Sequence, residues 1–238
     1  MVGIGPGGPL DRTRRAELAL AVSTVVVGYR RYVELIEDLT EGKELISSGM
    51  KEEVDRCKAA IGKVKTGETV ALISSGDPGV YGMAGLALGL AAKEETPIPI
   101  EICPGVTSAS AAAASMGAPL MLDFAAISLS DLLVPWDSIR KRIEAVAAAD
   151  LVVALYNPRS KKRRKHLDEA AAIFLKYRDG AVPVGVGTAV GTDEQKIVLS
   201  DLDHFLDLEI GMRSIAVVGN STSRVEAGWF ITPRGYKV

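Results

Sequence analysis

Histidine and cysteine are almost missing from this chain, with two of each among 238 residues. Neither cysteine lies in a CxxC or Cys/His cluster, so the sequence offers no zinc framework and no disulfide scaffold. Cys57, in a helix-like stretch, and Cys103, at the end of a strand-like one, are expected to pack in a core, and no metal site is expected. His166 and His204 stand away from every glycine-rich turn. They are expected at the surface or at helix ends, and a histidine general base is not expected.

Long apolar runs are lacking too. The longest, such as 24–28 and 109–114, fall far short of the roughly 20 residues that a membrane-spanning helix requires. The opening Met1-Val2-Gly3-Ile4-Gly5 has no basic stretch followed by an apolar run of the kind that marks a secretory signal. A cytoplasmic protein without a membrane segment is expected. Nor is there an excess of positive charge: the formal net charge is −2, which argues against broad nucleic-acid binding, since that needs a strongly positive face, and leaves only local basic patches open. What is present is a globular balance, 47% hydrophobic and 24% charged, enough to bury the core of one large α/β domain or two smaller halves.

Short β-branched runs recur between longer amphipathic stretches. Strands are expected at 2–4, 24–27, 69–74, 99–102 and 124–128, and helices at 10–22, 51–65, 82–93, 107–116 and 138–149. Strand–helix alternation of this kind predicts a mostly parallel sheet covered on both faces. From residue 151 the pattern restarts with strands at 151–155, 182–187, 196–199 and 214–218 and a helix at 163–178. Strands now follow one another with less helix between, which predicts a mixed sheet. The expected division is 1–120 and 121–238.

Chemistry is concentrated where strands stop. Gly3-Ile4-Gly5-Pro6-Gly7-Gly8-Pro9 follows one strand and superficially suggests a phosphate loop. Pro6, however, removes a backbone donor, and no P-loop lysine follows. Ser75-Gly76-Asp77-Pro78-Gly79-Val80-Tyr81-Gly82-Met83 ends another strand with three glycines that permit close backbone approach. Asp77 there either receives hydrogen bonds from a ligand or caps the helix that follows. Cys103-Pro104-Gly105-Val106-Thr107-Ser108 makes a third such turn, with Thr107 or Ser108 placed to cap the alanine-rich helix. Tyr156-Asn157-Pro158, Thr188-Ala189 and Gly219-Asn220-Ser221 end strands of the second half. The basic run Lys161-Lys162-Arg163-Arg164-Lys165 reads first as a solvated helix start, with cations for an acidic ligand or for nucleic acid as the competing readings.

In these motifs the chain resembles the tetrapyrrole methylases, over essentially its whole length. The general marks are Gly3-Ile4-Gly5-Pro6-Gly7 and Gly76-Asp77-Pro78. Ile46-Ser47-Ser48-Gly49-Met50, the long Ser75–Met83 segment, Asp123-Phe124, Ile127-Ser128-Leu129-Ser130-Asp131 and Ile231-Thr232-Pro233-Arg234-Gly235-Tyr236 look like the branch that methylates carbon 17 of precorrin-3B or its cobalt-bearing counterpart, cobalt-factor III, with ring contraction, in cobalamin biosynthesis. Gly8, Arg12 and Gly191 depart from the family pattern.

The resemblance implies a two-domain α/β fold, usually homodimeric, with a mostly parallel N-terminal sheet, a mixed C-terminal sheet and the active cleft between them. It implies S-adenosylmethionine as methyl donor and S-adenosylhomocysteine as product. Donor contacts carried over by motif are Pro6, Ser75, Gly76, Asp77, Val80, Thr107, Ser108, Tyr156, Asn157, Ala189 and Ser214. A macrocycle bearing several carboxylates calls for arginines at the rim, for which Arg12, Arg14, Arg15, Arg30 and Arg31 are the candidates. For a proton acceptor in ring contraction the candidates are Asp123, Ser128, Ser130 and Asp131, with structural capping the competing reading. Two rival functions stand beside this one: a methylase of the same fold acting on another ring carbon or on a protein side chain, and a nucleotide-binding module that catalyses nothing.

Overall fold

The computed structural model describes residues 1–160 and 162–236. The chain divides into two compact units, one of Met1–Ser108 joined by Gly191–Asp193, the other of Ala109–Val190 with the chain from Glu194 onward.

The first unit is built on four parallel strands, β1 (Val2–Gly3), β2 (Val25–Tyr29), β3 (Glu44–Ser48) and β4 (Val70–Ser74), in the order β1-β4-β2-β3. Successive side chains of a strand point to opposite faces, and the core follows that alternation. Val26, Ala71 and Ile73 pack with Ala16 and Leu20 of α1 (Arg14–Val22) and with Val33 of α2 (Arg30–Glu34). On the other face, Val25, Val27 and Leu72 pack with Cys57 and Ala60 of α3 (Glu53–Lys65) and with Ala84 and Ala87 of α4 (Ala84–Ala91). Burial on both faces is why β2 and β4 read as continuous apolar runs. Both cysteines are core residues, as expected.

In the second unit, α5 (Ser108–Met116) leads into β5 (Gly117–Ala118), β6 (Phe124–Ser128), α6 (Trp136–Ala148), β7 (Val152–Tyr156), α7 (Lys165–Phe174), β8 (Pro183–Thr188), β9 (Lys196–Asp201) and β10 (Ser214–Val218). Five of these strands form one sheet in the order β6-β7-β10-β8-β9, parallel only between β6 and β7. This is the mixed sheet expected for the second half, beside the parallel sheet expected for the first. Ile139 and Ile143 of α6 and Leu167, Ala170 and Phe174 of α7 cover it. A small third sheet pairs β12 (Trp229–Ile231) with β5 and with β11 (Arg224–Glu226).

Several elements depart from expectation. The stretch 99–102 forms no named strand, although Val2 and Cys103 make an isolated parallel bridge. β3 and α2 were not expected, and the helix expected from residue 10 begins at Arg14, after a short 3₁₀ turn at Pro9–Asp11. No described helix is long and apolar enough to cross a membrane.

Candidate functional site

Parallel strands deliver all their carboxyl ends to one edge, where open α/β sheets hold ligands. In the first unit that edge carries Gly5, the turn after Ser74, Tyr29 with Arg30, and Ser48 with Gly49. Three of its loops are tied together through main chain. Gly5 and Gly76 exchange two backbone hydrogen bonds, at 3.3 and 2.6 Å. The Asp77 carboxylate accepts from the Gly79 N–H at 2.7 Å and from the Gly105 N–H at 3.1 Å. Thr13 caps α1 by accepting from the Ala16 N–H and donates its hydroxyl to the Pro104 carbonyl. Asp77 is therefore a clasp between the second and third loops. It does not cap the next helix, which starts at Ala84 after Met83.

Gly76 has φ +63°, and a Cβ built there would lie 3.7–3.9 Å from Thr107 Cα, Ser108 N and Val106 O. A side chain would thus fill the gap between this turn and the Thr107-Ser108 pair. Val80 and Tyr81, on the same loop, are exposed apolar residues. Gly8 and Gly191 meet: the Gly8 N–H donates to the Gly191 carbonyl, a Cβ on Gly8 would stand 2.8 Å from that oxygen, and Gly191 itself sits at φ +78°, where a Cβ would crowd Pro6 at 2.9 Å.

The mixed sheet does the same with a different topology. Because β10 runs antiparallel to β7 and β8, its first residue, Ser214, pairs with Thr188 at the end where β6, β7 and β8 finish. Ser128, Tyr156-Asn157, Thr188-Ala189 and Ser214 therefore share one sheet edge. Asn157 and Ala189 are both in the left-handed region, at φ 51° each, a conformation that asparagine tolerates and that costs alanine roughly 1–2 kcal/mol. Such outliers cluster where function over-determines the backbone. The Ser214 hydroxyl accepts from the Gly211 N–H at 3.0 Å and bonds the Thr188 hydroxyl at 2.7 Å. The Tyr156 hydroxyl accepts from the Ala109 N–H at 3.1 Å.

The proton-acceptor candidates do not form one cluster. Asp123 precedes β6, and its carbonyl accepts from the Val152 N–H. Ser128, Ser130 and Asp131 lie at the other end of that five-residue strand, about 17 Å away at the usual rise per residue. Around the latter three stand two residues that the sequence did not place at this strand end. Arg163 reaches Ser130 Oγ at 3.3 Å and the Asn157 carbonyl at 2.7 Å, and lies 4.0 Å from Asp131. His166 stacks on Trp136 at 4.0 Å, donates Nδ1–H to the Leu129 carbonyl, and sets Nε2 3.6 Å from Asp131. Arg163 was hidden in the basic run, where every charge looked solvated; of that run, Lys161 lies outside the described residues. His166 sits in the first turn of α7, a helix end as expected, and His204 is exposed beside Asp201, whose hydrogen bond pushes its pKa up.

Of the rim candidates, Arg12 is corrected. Its Nη1 and Nη2 donate to both oxygens of Asp38 at 2.6 and 2.8 Å, Nη2 also reaches the Leu35 carbonyl, and the side chain is 2% exposed. Both terminal nitrogens are taken by the protein, and their bond holds the Asp38 carboxyl below its usual range. Arg14 is exposed beside Glu17, and Arg15 is paired with Glu101. Arg30 and Arg31 open α2 directly after β2 and are exposed. Pro6 and Ser75 flank the paired Gly5 and Gly76. Two shallow depressions, of about 430 and 390 Å³, share no residue with any of these loops.

Comparison with known proteins adds an independent line. Residues 1–205 match the family model described as Tetrapyrrole (Corrin/Porphyrin) Methylases. A "Probable cobalt-factor III C(17)-methyltransferase" of Salmonella typhimurium is 45% identical over 99% of this chain and 98% of its own length. The "Cobalt-factor III methyltransferase" of Priestia megaterium is also 45% identical, over 100% of this chain, which spans only 45% of that longer protein. Among solved structures, the methyltransferase CobJ superposes with a TM-score of 0.90 at 37% identity, covering 98% of each chain.

Proposed function

The chain belongs to the tetrapyrrole (corrin/porphyrin) methylases, and from that premise we propose that it transfers a methyl group from S-adenosylmethionine to carbon 17 of cobalt-factor III or precorrin-3B, with contraction of the macrocycle, in cobalamin biosynthesis. The observation that carries this reading is the full-length likeness to a relative named for that carbon, over a chain most of whose matching motifs fall where strands stop. A nucleotide-binding module without catalysis has no such support. In this reading the protein is a cytoplasmic homodimer with domains at 1–120 and 121–238.

The donor supplies an electrophilic methyl on a sulfonium. The protein's part is to hold that carbon in line with the nucleophilic ring carbon, which needs position more than an ionised nucleophile. The first-unit loops fit this task. They present main chain where Gly76 leaves a gap beside Thr107 and Ser108, with the exposed apolar Val80 next to it. Pro6, Ser75, Gly76, Asp77, Val80, Thr107 and Ser108 would hold the donor in this unit, and the family resemblance adds Tyr156, Asn157, Ala189 and Ser214 as further donor contacts. Ser214 would contribute through its main chain, because its hydroxyl is already engaged twice. Asp77 would act by fixing the loops, since both its oxygens already accept backbone N–H groups.

For the anionic macrocycle, Arg14, Arg15, Arg30 and Arg31 are the cations placed beside strand-end loops. Asp131, with Ser128 and Ser130, is the candidate proton acceptor; its carboxylate is 46% exposed and therefore reachable. Calorimetric titration with S-adenosylmethionine, ATP and NAD tests the cofactor assignment. Saturable binding of the first alone is expected, and preference for ATP or NAD would overturn it.

A further inference from the structure

We propose that Arg163 is a positioning residue for the methyl-donor site, acting through the Asn157 peptide. The inference rests on the functional reading above and adds a residue that the family motifs did not supply.

Four residues form a closed circuit between the ends of β6 and β7. The Arg163 guanidinium donates through Nη2 to the Asn157 carbonyl at 2.7 Å. The Asn157 amide donates through Nδ2 to Ser128 Oγ at 3.0 Å. The same oxygen accepts from the Ser130 N–H at 3.3 Å, and Ser130 Oγ accepts from Arg163 Nη1 at 3.3 Å. Asn157 is thereby gripped at both its main-chain carbonyl and its side chain while it occupies the left-handed backbone region at φ 51°. Asparagine reaches that region more readily than other residues with a Cβ, and a charge-assisted bond to its carbonyl is a strong means of fixing which way the Asn157 peptide points.

The setting of Arg163 supports a dedicated role. It comes from the most basic stretch of the chain, yet its side chain is only 16% exposed. Burial lowers its pKa, with the Asp131 carboxylate opposing that shift. Reciprocal backbone bonds join Ser160 and Arg163, at 3.0 and 3.2 Å. The two oxygens lie just past the ends of two different strands and are met by two different nitrogens of one planar group, whereas an ammonium would have to offer both bonds from a single nitrogen. Lysine at this position is therefore not an equivalent residue.

The experiment uses the full chain and the variants Arg163→Ala and Arg163→Lys. Donor affinity is read by calorimetry with S-adenosylmethionine, tetrapyrrole affinity by absorbance titration, and folding by thermal denaturation. Both variants are expected to lose at least tenfold in donor affinity with tetrapyrrole affinity unchanged. Millimolar guanidinium ion should restore part of the loss in Arg163→Ala and none in the parent. The inference is overturned if the folded variants bind donor as the parent does, or if the loss falls on the tetrapyrrole. Should Arg163→Ala fail to fold, Arg163→Lys alone decides, since it keeps the charge and removes the fork. A parent chain that binds no S-adenosylmethionine would overturn the functional reading and this inference with it, whereas parent-like binding in the variants overturns the inference alone.

Discussion

At Gly76 the requirement for glycine comes from a dihedral angle and not from crowding. A Cβ there meets nothing closer than 3.7 Å, but φ is +63°, a region in which a β-branched residue is a true outlier. Gly76→Val is therefore expected to abolish S-adenosylmethionine binding and methyl transfer while far-UV circular dichroism stays near parental. Full activity in this variant would make the loop a structural turn only. Gly105 is the opposite case, since a Cβ there would stand 2.1 Å from the Gly76 carbonyl, so Gly105→Ala should damage the fold itself. Asp77→Ala frees two backbone donors and is expected to cost about 1–3 kcal/mol of stability as well as donor affinity. Urea denaturation and calorimetry together separate the two effects, and parental values in both would remove Asp77 from the site. Ala189, at φ 51°, allows a test in the other direction. Glycine relieves about 1–2 kcal/mol of backbone strain and gives back roughly 0.5–1 in chain entropy. Ala189→Gly should raise the melting temperature by up to roughly 6 °C, and a lower one would show that the methyl group packs usefully there.

Among the elements, legibility in the sequence followed burial. β2 and β4 are buried on both faces and announced themselves as apolar runs, and α3 and α6 showed helical spacing because each lays one apolar stripe on a sheet. β3 did not, because Glu44 to Ser48 is an edge strand with no fully buried residue, and its signal is set by backbone pairing to β2 alone. The small sheet of β5, β11 and β12 consists of strands of two or three residues, too short to show a period. Conversely, 99–102 carries an alternating pattern, yet only Cys103 beside it forms a bridge. Arg12 illustrates the same limit for charge: the sequence shows a cation near a loop, and only the fold shows Asp38 opposite it. Its bonds join the turn before α1 to the one after α2, and Arg12→Ala should cost about 1–2 kcal/mol once the exposure of Asp38 is discounted. Because Arg12 depresses the folded pKa of Asp38, this contribution is present above the unfolded value of 3.8 and is lost as pH falls through the lower folded one. The variant should therefore lose less stability than the parent on acidification through that window, measured by urea midpoints. An unchanged acid dependence would contradict the pairing.

For the molecule as a whole, the family was legible because its motifs are long and occur in order, and because they lie at strand ends where side-chain identity is set by backbone geometry and ligand contact. The proton acceptor is not legible, since its candidates stand at the two ends of one strand, and that strand carries Asp123 away from Ser128 and Asp131. The small net charge, −2, fits a site that needs local arginines and not a basic surface. The central claim is methyl transfer to one ring carbon, and it is tested most directly by incubating the purified chain with S-adenosylmethionine and either cobalt-factor III or precorrin-3B. Mass and absorbance spectra of the product are then read. The account predicts that one of the two substrates gains a single methyl group with the spectral change of a contracted macrocycle, and that S-adenosylhomocysteine accumulates in equal amount. No methylated product from either substrate, with donor binding intact, would contradict it.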